Sequence, residues 1–368
     1  MVRAPLWCVI ALLAACAAPS GHRRPALSEA ELLSGGALGL TLPRDPPISR
    51  EQAFGLDETM REFVEAQVHG ARRSHAALQR LLFGMRMMGL FSIDYDDSVT
   101  RTVRDTFYER RGNCLSFTML FVELAREAGL DVRYQVVDVP PIWSANSDLV
   151  IVENHVNALV KTPRGQDFVI DFNMTDYRGR YPQREVDDDR ILALFYNNLG
   201  AEALIRKEYD LSFRYLRAAI AADPDLAGPW LNLGVLYGKQ QRWQHADAAY
   251  LHVLDVSPGN RSALTNLASL HAHLGNEELA ARYSQEIHRY QQRNPYYHYF
   301  VAQRAFEEGR FADALEAVRQ ALRLKREEHD FHVLEAKTLL ELGLPAEAQR
   351  SMERANRYAD PLQRTAAR

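Results

Sequence analysis

A period of 34 residues governs the C-terminal half of the chain. Within one unit, Trp230, Leu233, Gly234, Tyr237, Ala246, Tyr250 and Pro258 set large apolar, small and turn residues at fixed intervals. Gly200 and Pro224 stand one period earlier, and Leu267, Ala268 and Ala280 one period later. Two further steps reach Ala302 and Ala314, then Ala336 and Ala348; Ala219, Ala321 and Ala355 form a second column of small residues. Five units beginning near Ala193, Ala227, Arg261, Pro295 and His329 fit without an insertion. A helical unit of that length cannot bury its apolar face alone and must stack on its neighbours. Residues 193–362 are therefore expected to form an all-α superhelix.

The repeat pattern resembles that of tetratricopeptide proteins. That likeness implies a concave groove that takes an extended or helical peptide, and hence a protein or peptide partner. Asn198, Asn232 and Asn266 recur at one position of the first helix in three successive units. They are candidates for gripping peptide backbone, although asparagine is also the ordinary scaffold residue there. Phe300 and Leu334 replace it further on, so any polar groove lies in the first three units.

Ahead of the repeats the most informative stretch is Arg110 to Ala128. Gly112 and Asn113 break and recap the chain, and Leu115, Met119, Val122 and Leu124 or Ala125 then follow at the spacing of a helix with one buried face. Cys114 accordingly sits at a helix start, where free amides and the helix dipole favour the nucleophilic thiolate form of a cysteine. Asp57 and Ser74 are the expected caps of two earlier helices, running to about Val68 and Met88 with Gly70 and Gly89 as terminators. Leu78, Leu81, Leu82, Met85 and Met88 form a stripe on the second, read as core. The segment Thr100 to Arg111 is expected to form a further short helix leading into the cysteine turn, and Gly129 ends the cysteine helix.

Beyond Gly129 the period changes from 3.6 to 2. Val132 to Asp138, Leu149 to Val152, Val156 to Val160 and Phe168 to Phe172 read as strands, which makes residues 51–190 an α+β domain. Asn154-His155-Val156-Asn157 and Val169-Ile170-Asp171-Phe172 flank a Thr162-Pro163-Arg164-Gly165 turn and form an expected hairpin. His155 and Asp171 share parity. A three-residue loop would set them directly opposite, and a five-residue loop would make them diagonal neighbours on the same face. His155 then supplies a base for Cys114, and Asp171 a group to orient the imidazole. The backbone N–H of Cys114 is one candidate oxyanion donor. A second is unassigned, and nothing singles out Tyr95 or its neighbours.

Cysteine at a helix start, histidine about forty residues on in a strand and aspartate in the next strand resemble the transglutaminase-like superfamily. Arg-Gly-Asn-Cys-Leu-Ser-Phe, Asn-His-Val-Asn and Val-Ile-Asp-Phe carry the likeness, over roughly Asp57 to Asp188. The resemblance implies a papain-like fold in a different circular order, with Cys114, His155 and Asp171 as the catalytic set and a thioester on the cysteine. Members cross-link, hydrolyse or lack activity, so water or an amine as acceptor stays open. A non-catalytic adaptor and an enzyme acting on peptidoglycan cross-bridges are the rival readings. Cys and His lack a second ligand pair, so neither metal nor organic cofactor is implied.

Of the three cysteines, Cys8 and Cys16 lie at the N-terminus, where Arg3 precedes an apolar run from Leu6 to Leu13. The run is too short for a membrane span and fits a secretory signal over residues 1–16. Its Leu-Ala-Ala-Cys ending resembles the lipobox of bacterial lipoproteins, which implies cleavage before Cys16 and lipidation of its sulfur. Ala17 is not the retaining aspartate, so an outer-membrane anchor facing the periplasm is implied; a plain signal cut elsewhere is the alternative. Residues 17–50, rich in Pro, Gly, Ser and Ala, read as a tether with at most one short helix around Ser28 to Leu33. A net charge of -4 gives no basic footprint for nucleic acid.

Overall fold

The computed structural model describes residues 23, 25–41, 46–71, 75–90, 94–95, 99–137, 155–162, 167–172 and 182–359. The signal segment with Cys8 and Cys16, the cap at Ser74, the strand at Leu149 to Val152 and the centre of the hairpin turn lie outside them.

Side-chain caps set the first helices. Ser28 and Ser49 each accept from a backbone N–H three residues on, while Glu31 and Gln52 reach back to the cap, opening α1 (Glu29–Leu33) and α2 (Arg50–Phe54). Asp57 caps α3 (Glu58–Val68), α4 spans His75–Met87, and Thr102 caps α5 (Val103–Glu109), a shorter helix than the sequence implied. Strand β1 (Asp94–Tyr95) pairs in parallel with β2 (Arg111–Gly112), immediately before the central helix α6 (Cys114–Glu127). Strands β3 (Asp131–Val137), β4 (His155–Lys161), β5 (Phe168–Ile170) and β6 (Gln183–Val186) form a sheet ordered β5-β4-β3-β6 with antiparallel neighbours.

One face of that sheet packs on α6. Val132, Tyr134 and Val136 of β3 and Val156, Ala158 and Val160 of β4 share an apolar cluster with Leu115, Met119, Leu120 and Phe121. The sequence implied one buried face for α6. In the structure almost every residue from Leu115 to Ala125 is buried, because the helix packs on the sheet and the preceding helices and shares one apolar cluster with the first repeat.

The repeats follow as helix pairs: α7 (Asp188–Ile205) with α8 (Tyr209–Ala222), α9 (Ala227–Lys239) with α10 (Trp243–Val256), and α11 (Arg261–His273) with α12 (Glu277–Arg293). Then come α13 (Pro295–Glu307) with α14 (Phe311–Leu324), and α15 (His329–Glu341) with α16 (Pro345–Tyr358). Four first helices begin at the residues the period implied. Gly234 explains why one column is small: a Cβ there would lie 2.3 Å from the Tyr250 ring, so α9 and α10 approach too closely for any side chain.

The first repeat is fused to the α+β domain. Ile191 to Tyr196, Tyr215 and Ala219 belong to the same apolar cluster as α6 and the sheet. Arg126 of α6 makes a bidentate pair with Asp188 at 2.9 and 2.8 Å, and Tyr196 Oη donates to Ile48 O at 2.7 Å. Part of the stretch read as a tether is docked as well. Leu32 is buried among Trp230, Leu233 and Tyr237; Tyr237 Oη donates to Leu32 O and Arg242 Nε to Ala37 O, while Arg23 pairs with Asp247.

Candidate active site

Asn113 sets where α6 begins. Its backbone is extended, its Oδ1 accepts from Ser116 N–H at 3.0 Å, and Cys114 is the first helical residue. Gly112 is required by crowding, since a Cβ at that position would sit 2.8 Å from Ser116 Cβ. Cys114 is half-exposed, while Leu115 and the residues after it are buried, so the thiol stands at the open end of a closed helix. Tyr95 pairs with Gly112 through β1 and β2, which brings its backbone close to the cysteine turn; the second oxyanion donor stays unassigned.

Two contacts bring the histidine to that end. Thr118 lies one helical turn after Cys114 on the same side of α6, and its Oγ1 donates to Val156 O at 3.1 Å. Val156 follows His155, the first residue of β4, whose partner across the ladder is Val137. The aspartate is placed by its neighbours. β5 ends at Ile170, so Asp171 falls just past the strand rather than within it, and the next residue, Phe172, packs on α6 with its ring 6.1 Å from Phe117 and 6.0 Å from Phe121.

Ala158 pairs with Ile170, Leu159 with Val169 and Val160 with Phe168. Continuing that register sets Asn157 opposite Asp171 and makes His155 its diagonal neighbour, the arrangement that goes with a five-residue loop. His155 Nε2 lies 2.8 and 2.7 Å from the two carboxylate oxygens of Asp171. The Cys114 side chain lies near enough to the ring to favour its protonated form. The ring is 2% exposed and the carboxylate 22%. Burial works against a charge on the imidazole, but the hydrogen bonds and charges of Asp171 and Cys114 outweigh it and push its pKa up to about 9. Such a ring can hold a proton taken from sulfur and deliver it to a leaving amine.

The asparagine row is on the first helices of the first three repeats, Asn198 on α7, Asn232 on α9 and Asn266 on α11, each half-buried. Asn232 Nδ2 donates to Asn197 Oδ1 at 2.9 Å, a residue sequence reasoning passed over because it stands outside the recurring column. Thr100, Ser116 and Thr118 were also missed. Each is an isolated hydroxyl in an apolar or irregular stretch, and only the fold shows what it binds.

A helix-start thiol beside an antiparallel sheet bearing histidine and aspartate, followed by 34-residue helix pairs, defines a transglutaminase-like domain joined to tetratricopeptide repeats. Residues 66–166 match the model of the transglutaminase-like superfamily, a span that includes Cys114 and His155 and stops short of Asp171. The helical half is similar to solved structures at low identity. MamA from Desulfovibrio magneticus RS-1, residues 41 to the end, is 16% identical, with 46% of this chain and 94% of that chain covered and a TM-score of 0.26. YrrB, described as a TPR protein with an unusual peptide-binding site, is 16% identical, with 48% and 91% covered and a TM-score of 0.26. A MamA structure from AMB-1 is 21% identical, with 50% and 100% covered and a TM-score of 0.25. None of the curated proteins compared with the chain matches it. The repeat architecture stands on the spacing of its own helix pairs.

Proposed function

We propose that this protein is an envelope-anchored thiol acyl-transfer enzyme acting on a protein or peptide held by its repeats. The observation that carries the reading is the gathering of a half-exposed thiol, a buried imidazole and a carboxylate at one helix end. In the proposed step Cys114 Sγ attacks an amide carbonyl, His155 accepts the thiol proton and passes it to the departing amine, and a thioester forms. Water or a second amine then releases the acyl group and the thiol regains its proton. Asp171 keeps the ring oriented and balances its charge.

Anchoring through lipidated Cys16, with the enzyme facing the periplasm, belongs to the same proposal. It is supported by the Leu-Ala-Ala-Cys ending, and among the described residues no helix is long and apolar enough to cross a membrane. The adaptor alternative requires a closed, inert cysteine, whereas Cys114 is partly open and close enough to His155 to favour its protonated ring. The test is labelling with a cysteine-reactive peptide probe, read by mass spectrometry of the Cys114 peptide. Labelling is expected in the parent, absent in Cys114→Ser and at least tenfold slower in His155→Ala. Equal labelling of the parent and His155→Ala would remove the assigned base. Mass spectrometry of the mature N-terminal peptide tests the lipid separately.

A further inference from the structure

The docked N-terminal segment ends beside an arginine pocket on the third repeat. Arg23 pairs with Asp247 of α10, and Asp247 Oδ1 lies 3.0 Å from His271 Nε2 of α11. The His271 ring stacks on Tyr283 of α12 at 5.7 Å, and the charges of Arg23 and Arg282 both act on the Tyr283 hydroxyl. Arg23 therefore stands where the arginines of α12 begin.

Arg282, Glu286, Arg289 and Arg293 follow one another at the three-to-four spacing that sets residues on one side of a helix. With Leu264 and Tyr290 they line a pocket of about 540 Å³, a volume that suits a small ligand. Glu286 lies 3.6 Å from Arg282. Arg289 and Arg293 are exposed, and among the described residues neither has an ion-pair or hydrogen-bond partner. Three arginines against one glutamate leave a surplus of two positive charges, in a chain whose net charge is -4. Guanidinium groups one turn apart repel each other, and a phosphate, whose oxygens match the guanidinium fork, relieves that repulsion. Leu264 is buried and Tyr290 half-buried, so the charges border an apolar floor with an aromatic ring at its edge. Arginine beside tyrosine is the pairing that suits the headgroup level of a bilayer.

Chain length favours a lipid as the source of the phosphate. Arg23 follows Cys16 by seven positions, which span at most about 25 Å when fully extended. From Arg282 to Arg293 the helix rises only about 16 Å more. A lipid on Cys16 therefore keeps the pocket close to the leaflet that holds the anchor. We propose that the α12 pocket binds the phosphate of an anionic phospholipid headgroup, so that the third repeat lies against the membrane in which Cys16 is anchored. The proposal rests on the lipid-anchor reading of Cys16 and adds a second, reversible contact with the same surface.

The experiment is cosedimentation of the full chain bearing Cys16→Ser, which removes the acyl anchor, with vesicles of phosphatidylglycerol and phosphatidylcholine in equal parts. Binding to vesicles of phosphatidylcholine alone sets the contribution of the apolar leader, and melting is followed in parallel. Arg289→Gln with Arg293→Gln is expected to weaken binding to the anionic vesicles about thirtyfold, from about fivefold for each arginine at an anionic surface. Arg86→Gln with Arg350→Gln removes the same charge from exposed positions on α4 and α16 and is expected to weaken it less than threefold. Equal binding by the parent and the pocket double variant, or equal losses in the two double variants, overturn the proposal and leave the anchor reading intact. Inorganic phosphate or hexaglutamate bound at millimolar concentration by a chain that ignores the anionic vesicles would make the pocket a site for a soluble anion, which also overturns it. A mature N-terminal peptide without lipid in the mass spectrum overturns both. Should the pocket double variant not fold, Arg289→Gln decides alone, with a parental affinity counting against the pocket.

Discussion

Replacing Asp171 with Asn keeps the shape of the side chain and removes the charge that faces His155. The two carboxylate oxygens lie 2.8 and 2.7 Å from Nε2 of a ring that is 2% exposed, so solvent screens the pair little. Burial alone would lower the imidazole pKa; Asp171 and Cys114 together raise it from 6.5 to about 9. At about 1.4 kcal/mol for each tenfold change in proton affinity, the rise corresponds to about 3 kcal/mol of folding stability. Cys114 shares that figure, so the part carried by Asp171 is about 1–3 kcal/mol. A group whose folded pKa lies above its unfolded one contributes fully below the unfolded value, near 6.5, and loses the contribution as pH rises through about 9. Asp171→Asn is therefore expected to be costly at pH 6 and nearly neutral at pH 10. Urea unfolding of parent and variant at pH 6, 8 and 10, followed by tryptophan fluorescence, measures the difference. An equal cost at pH 6 and pH 10 would refute the claim that the folded protein holds this ring as an imidazolium.

Two further outcomes follow from packing. Gly234→Ala drives a methyl group into the Tyr250 ring and is expected to cost about 1–3 kcal/mol, whereas Gly238→Ala in the same helix meets nothing within 4 Å and should stabilise by about 0.5–1 kcal/mol. Thermal melts of the pair test this, and shifts of the same sign would contradict it. Leu32→Ala removes a side chain that is 1% exposed within the core of the repeats, and a loss of about 2–3 kcal/mol is expected together with faster proteolysis between residues 25 and 41. A parental melting temperature and cleavage rate would mean that this segment is not docked in solution.

What could be read from the sequence was what local chemistry determines. Asn113 as a cap, Asp57 as another, the left-handed glycines at Gly89 and Gly129, and the starts of α9, α11, α13 and α15 each follow from a few neighbouring residues. Parity placed His155 and Asp171 on one face yet left two registers open, because the loop length that separates them is not a property of either strand. The ladder pairing Val160 with Phe168 selects the diagonal one. Strand β6 went unread since Gln-Arg-Glu-Val shows no apolar alternation, and all four of its residues pair along the edge of β3 for reasons of topology. Docking of Leu32 and the bond from Thr100 to Glu202 join residues far apart in sequence. Contacts of that kind have no period and no local signature.

The burial of α6 explains why the reactive group stands where it does. A helix enclosed on nearly every side must give its flanks to apolar contacts, and its two internal hydroxyls are spent within the structure: Ser116 Oγ on Asn113, Thr118 Oγ1 on the backbone of β4. The first turn is left open to solvent at Cys114 and faces the His155 ring. At that turn the Asp171 carboxylate favours a cation on the ring that stands beside Cys114. The same enclosure keeps the thiol from moving away, because displacing Cys114 means displacing a helix packed on both the sheet and the first repeat. Core packing and site geometry are thus one constraint here.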